Sequence, residues 1–166
     1  MSVKIINGDL FDKNDNIYKI CFIAHQVNCQ GVMSSGLAKK IKEVYPRVYK
    51  EYKEALNNKT VSLGSAQIVF VVDTKKKIMH VVNLFAQDKY GRDKQYTDYE
   101  ALKTSLINLK DNIRDLAYLP DRVIIRIPYM MGCGLGGGDW NIVLSIINEI
   151  FEKSLYEVNI MNNQIL

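Results

Sequence analysis

The run Ile20-Cys21-Phe22-Ile23-Ala24-His25-Gln26-Val27 constrains this chain most. It is almost continuously apolar, so neither of its faces is left for water. A strand of that kind is central in a sheet and covered on both sides, as in proteins that sandwich a sheet between helices. The remaining segments supply both components. Strand patterns occupy Val3–Asn7, Ala66–Val72, 78–84, 122–127 and 156–161. From Leu37, apolar residues recur at 37, 41, 44 and 45, and Pro46 opens a second helical segment ending near Leu56. Apolar positions 99, 102, 106, 109, 113 and 116 define a long amphipathic helix behind Asp98, a suitable N-cap, and a last helix spans Trp140–Phe151. Ala66–Val72 and 78–84 flank Lys75-Lys76-Lys77, which reads as the tip of a hairpin. Strands alternating with helices but interrupted by a hairpin predict an α/β fold with a mixed sheet and helices on both faces.

A chain of 166 residues is expected to form one domain, residues 1–166. With 48% apolar and 24% charged residues, its composition excludes a disordered chain. No apolar run is long enough to cross a bilayer, and MSVKIINGDLFDKNDN lacks the apolar core of a secretory leader. Cys21, Cys29 and Cys133 form no CxxC pair and are odd in number, so a disulfide framework is not expected and a cytoplasmic setting is. His25 and His80 are the only histidines and form no metal-binding pair, so no metal is expected. The net charge of +4 comes from scattered basic residues, which suits an anionic ligand better than a nucleic-acid face. No long apolar stripe is left over, so a monomer is expected.

Four segments hold the chemistry. Gly132-Cys133-Gly134-Leu135-Gly136-Gly137-Gly138 has five glycines among seven residues. Such density costs chain entropy, and a loop that bears it serves close backbone approach or positive φ. Its place between a strand and a helix suits phosphate binding by backbone amides. It formally matches GxGxxG through Gly132, Gly134 and Gly137, but late in the chain, where a Rossmann fingerprint is out of place. A second small-residue loop, Gly31-Val32-Met33-Ser34-Ser35-Gly36, also links a strand to a helix, and two such loops suit a diphosphate. Gly8-Asp9-Leu10 follows the first strand, where a carboxylate can accept from an exocyclic amino group. His25-Gln26-Val27-Asn28 puts polar groups at a strand end beside a glycine loop, placed for ribose hydroxyls.

In this order the four segments resemble the macrodomain family, which binds ADP-ribose. The stretches HQVNCQGVMSSGLAKKIKEVYP and IPYMMGCGLGGGDW are similar to the branch holding the terminal ADP-ribose protein glycohydrolase, the yeast ADP-ribose-1″-phosphate phosphatase, the antitoxin macrodomains that remove ADP-ribose from DNA, and phage and bacterial relatives. The resemblance implies a three-layer α/β/α sandwich around a six-stranded mixed sheet. It implies that Asp9 binds the adenine amino group with the Leu10 backbone beside it, and that Asn28 contacts the distal ribose. Gly31, Val32, Ser34, Ser35, Gly36 and Leu37 would line the distal ribose and diphosphate, and Gly132, Cys133, Gly134, Leu135 and Gly136 would wrap the diphosphate. The implied partner is ADP-ribose or an ADP-ribosylated protein or nucleic acid, with no cofactor.

For the reaction, breaking a bond at the distal C1″ calls for negative charge beside an oxocarbenium-like centre and an oriented water, or for a lysine nucleophile. The glycohydrolase relatives use a lysine and an aspartate, but Tyr96 and Gly136 stand at those positions here, and Gln87 stands where the antitoxins have their lysine. Lys89 or Lys94 can substitute from the same loop, and Asp139 lies three residues past Gly136. His25 matches the phosphatase histidine and is a candidate acid or base, with Asp88 or Asp93 as partner. The candidates for catalysis are therefore His25, Lys89 and Asp139. Three functions follow: a hydrolase of ADP-ribosylated macromolecules, ADP-ribose 1″-phosphate or O-acetyl-ADP-ribose; a non-catalytic ADP-ribose-binding module; and a Rossmann-type dinucleotide-binding protein.

Overall fold

A computed structural model describes residues 3–12, 18–72, 78–116 and 118–163. The elements run β1 (Val3–Asn7), β2 (Ile20–Val27), α1 (Gly36–Val44), α2 (Pro46–Asn57), β3 (Ala66–Val72), β4 (Ile78–Phe85), α3 (Tyr99–Asp115), β5 (Val123–Pro128), α4 (Trp140–Phe151) and β6 (Glu157–Asn162). Six strands make one sheet in the order β1-β6-β5-β2-β4-β3. All neighbours are parallel except β3, which pairs antiparallel with β4 from Ala66↔Leu84 to Val72↔Ile78. The hairpin expected from the sequence is this pair; its lysine tip lies outside the described residues. The order is not the 3-2-1-4-5-6 arrangement of a dinucleotide-binding fold, which removes the Rossmann reading.

Strand alternation distributes the core over the two faces of the sheet. Phe22 and Ala24 of β2, Val82 and Leu84 of β4, and Val123, Ile125 and Ile127 of β5 pack against Leu102, Leu106 and Leu109 of α3 and Val143, Ile147 and Phe151 of α4. The alternate residues Cys21, Ile23, Val27, Met79, Val81 and Phe85 pack against Ile41 of α1 and Val48 and Tyr52 of α2. β2 lies between β5 and β4 with both faces covered, as its unbroken apolar run requires.

Boundaries follow local chemistry. Tyr45 ends α1 by donating its amide to Ile41 O (2.8 Å), and Pro46, which has no amide to satisfy, begins α2. Asp98 caps α3 by accepting from the Ala101 amide at 2.9 Å. The strand expected from residue 122 starts at Val123, because Arg122 closes a 3-10 turn by donating to Leu119 O (2.9 Å). Because β1, β6, β5, β2 and β4 run parallel, their carboxyl ends share one edge. The loops 8–12, 28–35, 86–98 and 129–139 all leave from it.

Candidate functional site

Those loops enclose a continuous cleft. Its larger part is a cavity of about 760 Å³ between the loop after β2 and the loop after β5, walled on a third side by the segment after β4. Its smaller part, about 320 Å³, lies over the turn after β1. Leu37, Pro128 and Tyr129 line both, so the two parts adjoin. The larger cavity gathers His25, Asn28, Val32, Ser34, Ser35, Gly36, Gly132, Gly134, Leu135 and Gly136; the smaller gathers Asp9 and Leu10. Gly31 is buried behind the wall at φ +76, with the Lys53 side chain across the position a β-carbon would take. Cys133 turns its thiol inward to Met131 O at 3.4 Å. Lys89 and Asp139 are on no wall of either cavity.

The strongest anion-binding feature is the start of α1. Ser35 occupies its N-cap position in extended backbone but makes no side-chain cap bond, and the first turn has no acidic residue. The amides of Gly36, Leu37 and Ala38 therefore have no partner among the described residues, and all three residues line the larger cavity at the positive end of the helix dipole. The other strand-to-helix loop works differently. Asp139 caps α4 by accepting from the Asn141 amide at 2.8 Å, so the α4 terminus already has its anion. What the glycine loop offers is its own backbone: among the described residues, the amides of Gly132, Gly134, Leu135 and Gly136 donate to nothing within the protein.

That loop is held from below. The Thr97 hydroxyl donates to Gly132 O at 2.7 Å, Gly138 N donates to the same oxygen at 2.9 Å, and Gly136 O accepts from the amides of Tyr96 and Thr97 at 2.8 and 2.9 Å. Gln26 Nε2 donates to Thr97 Oγ1 (2.8 Å) and to Gln87 Oε1 (2.9 Å). Gln26 Oε1 is buried without a partner among the described residues. Gly132 has φ +74, and a β-carbon there would lie 2.6 Å from Gln26 Oε1. Only glycine fits, by both backbone and space.

Asn28 shapes the opposite loop. Its Oδ1 accepts from the amides of Gln30 (2.9 Å) and Val32 (3.3 Å), and its Nδ2 donates to Val32 O at 2.8 Å. The buried Tyr52 hydroxyl reaches both Asn28 O (2.7 Å) and Oδ1 (2.9 Å). The side chain expected on the ribose is thus also the one that folds the loop. His25 is 1% exposed, with Nε2 2.6 Å from Asn83 Oδ1. Asn83 Nδ2 donates to Gln67 Oε1, so its oxygen faces the ring and the imidazole proton sits on Nε2. Burial lowers the pKa of His25 to about 4, against a smaller opposing effect of the Asn83 bond. Burial, with Asp88 and Asp139 nearby, pushes the Cys29 and Cys133 thiols up to about 11, so neither is a thiolate at neutral pH. Asp9 Oδ1 accepts from the Phe11 amide at 2.9 Å, while Asp9 itself stays exposed beside the smaller cavity.

Thr97, Tyr52, Tyr90, Arg92 and Tyr129 belong to this site and were not singled out from the sequence. Tyr90 and Arg92 line the larger cavity from the loop after β4. Their polarity reads as ordinary loop composition, and their neighbours across the cleft are far away in the chain. Among the described residues, the titratable side chains on the wall of the larger cavity are His25, Tyr90, Arg92 and Tyr129, with no lysine and no carboxylate.

Comparison with known proteins agrees with this architecture. A DNA ADP-ribosyl glycohydrolase of Mycobacterium tuberculosis is 31% identical over 133 residues, covering 79% of this chain and 35% of that protein. This chain therefore spans about a third of that relative's length. An ADP-ribose 1″-phosphate phosphatase of Meyerozyma guilliermondii is 28% identical over 124 residues, covering 68% of this chain and 70% of that one. The solved structure of Thermosipho africanus DarTG in complex with ADP-ribose has the same fold, with a TM-score of 0.79 over 96% of this chain and 41% of that one at 20% identity. The model of the family described as Macro domain matches residues 24–147, from the middle of β2 into α4 and across both cleft-forming loops, and the chain belongs to that family.

Proposed function

We propose that the protein binds ADP-ribose in this cleft and hydrolyses a derivative of it. The observation that carries the reading is the pairing of two sets of unsatisfied amides, at the start of α1 and in the glycine loop, on either side of one cavity. Facing donor sets of that kind suit a diphosphate. Asp9 at the adjoining smaller cavity suits the adenine amino group. That leaves the His25–Asn28 end for the distal ribose. The relatives' names bring in two substrate classes, ADP-ribosylated DNA and ADP-ribose 1″-phosphate; ADP-ribosylated protein and O-acetyl-ADP-ribose join them as derivatives of the same ligand. Hydrolysis here rests on orientation rather than on a lysine or carboxylate. Gln26, which lines the cavity and ties Thr97 to Gln87, fixes the shape of that wall. His25, neutral and tied to Asn83, orients rather than donates a proton. Asp139 serves α4, and Lys89 stays outside the cavity. The protein acts as a monomer in a reducing, cytoplasmic setting, which three cysteines outside any disulfide fit.

A second reading, a binding module without turnover, has one observation in its favour: among the described residues, no acid or lysine lines the larger cavity. Calorimetric titration with ADP-ribose, with NAD and ADP as controls, tests the site, and turnover of ADP-ribosylated DNA, ADP-ribosylated protein, ADP-ribose 1″-phosphate and O-acetyl-ADP-ribose tests the chemistry. Selective ADP-ribose binding with turnover of one derivative supports the hydrolase. Binding with no turnover supports the module. A preference for NAD overturns both.

A further inference from the structure

Arg126 is the one charged residue in β5, and it is 4% exposed. Its strand neighbours Val123, Ile125 and Ile127 point into the α3–α4 side of the core, so Arg126 projects from the other face. There its Nη1 donates to Leu10 O at 3.1 Å and to Asp12 O at 2.7 Å. These carbonyls belong to the turn after β1 that also contains the Asp9 carboxylate. Within the turn, Asp12 N donates to Asp9 O at 3.1 Å, and Phe11 N donates to Asp9 Oδ1 at 2.9 Å. With its carbonyls drawn inward to the guanidinium, the turn presents Asp9 and Phe11 outward to the smaller cavity.

Burying a guanidinium is costly, and an apolar side chain would fill a strand position as well or better for stability alone. An arginine gains its place by doing what an apolar residue cannot: its rigid, planar head sets one nitrogen, Nη1, between two carbonyl acceptors of the turn. Arg126 also stands two residues before Pro128, where the strand leads into the glycine loop. The same strand thus anchors both ends of the cleft.

We propose that Arg126 is a positioning residue that fixes the turn carrying Asp9 and thereby sets discrimination for the adenine amino group. This rests on the reading of the cleft as an ADP-ribose site. The test compares ADP-ribose with its hypoxanthine counterpart, IDP-ribose, which has a carbonyl where adenine has the amino group. Calorimetry gives both affinities for wild type, Asp9→Ala, Arg126→Leu, Arg126→Lys and the double variant Asp9→Ala/Arg126→Leu, each with its melting midpoint. The wild type is expected to prefer ADP-ribose by about tenfold, the worth of one charge-assisted hydrogen bond. Arg126→Leu is expected to lose most of that preference while still binding IDP-ribose as wild type does, and the double variant to show no further loss. Arg126→Lys, which keeps the charge but not the fork, falls between and decides the matter if the leucine variant does not fold. A folded Arg126 variant with the wild-type preference, or additive losses in the double variant, overturns the assignment. Failure of the wild type to bind ADP-ribose is a different result: it removes the function reading and this assignment with it.

Discussion

The Thr97 hydroxyl and the Gly132 carbonyl, 35 residues apart, meet at 2.7 Å beneath the glycine loop. Thr97 is 2% exposed and also accepts from Gln26 Nε2 at 2.8 Å, so one hydroxyl links β2, the segment after β4 and the loop after β5. Thr97→Val keeps the shape and removes both bonds. It is expected to cost about 1–2 kcal/mol of stability and to weaken ADP-ribose binding about tenfold, since the loop amides lose their registration. Thr97→Ser should restore both. Thermal melts and titration of the three proteins check this.

Two neighbouring glycines should respond in opposite ways. A β-carbon on Gly136 would lie 2.5 Å from Thr97 Oγ1 and 2.7 Å from Gly132 O, whereas one on Gly134 would meet nothing within 4 Å. Gly136→Ala is therefore expected to destabilise the fold by about 1–3 kcal/mol through overpacking. Gly134→Val should melt with the wild type yet fail to bind, because its side chain stands in the cleft where the diphosphate approaches. A Gly134→Val protein that folds and binds normally would move the diphosphate elsewhere.

Tyr52 supports the facing loop from the core. Its hydroxyl is the donor to both Asn28 O and Asn28 Oδ1, at 2.7 and 2.9 Å. Tyr52→Phe leaves the ring packing with Phe85 and removes the hydroxyl with its contacts to Asn28 and to the Gly31 and Val32 backbone. The expected loss is about 1–2 kcal/mol. Hydrogen exchange should show the amides of Gln30 and Val32, which rely on Asn28 Oδ1, opening faster than in the wild type, while exchange in the sheet follows the global change alone.

The elements were legible in the sequence where periodicity was strong. Trp140–Phe151 ends where its apolar pattern ends, and Ile20–Val27 proved central because five consecutive apolar residues leave no wet face. The segments of the site were legible as well, since dense glycine after a strand has few other uses. Side-chain assignments were harder to read because they depend on partners distant in the chain. Ser35 reads as part of a small-residue loop, and nothing local says that it sits at the N-cap of α1 without a cap bond, so that the helix start stays open to the cleft. Asp139 is one residue past the glycines and reads as a site carboxylate, but α4 takes it as a cap. Arg126 passes as one more position of the 122–127 strand, and nothing local says that its guanidinium reaches Leu10 and Asp12.

His25 makes a prediction about pH whose sign is fixed by burial. The folded ring has a pKa near 4, whereas an unfolded histidine titrates near 6.5. Above about pH 6.5 both states hold a neutral ring and the burial carries no protonation penalty. As pH falls from about 6.5 towards 4, the unfolded chain takes up a proton that the folded one refuses, so stability is lost, by on the order of 3 kcal/mol. His80, also lowered by burial, acts in the same direction. His25→Gln removes one titration, so its stability measured from pH 7 to pH 4 should fall less steeply than that of the wild type. The same variant examines the chemistry. If ADP-ribose 1″-phosphate is turned over, its pH–rate profile should show no ionisation near 6.5 that the glutamine abolishes. Such an ionisation would mean that the ring takes up a proton in the working enzyme, and His25 would return as its acid or base.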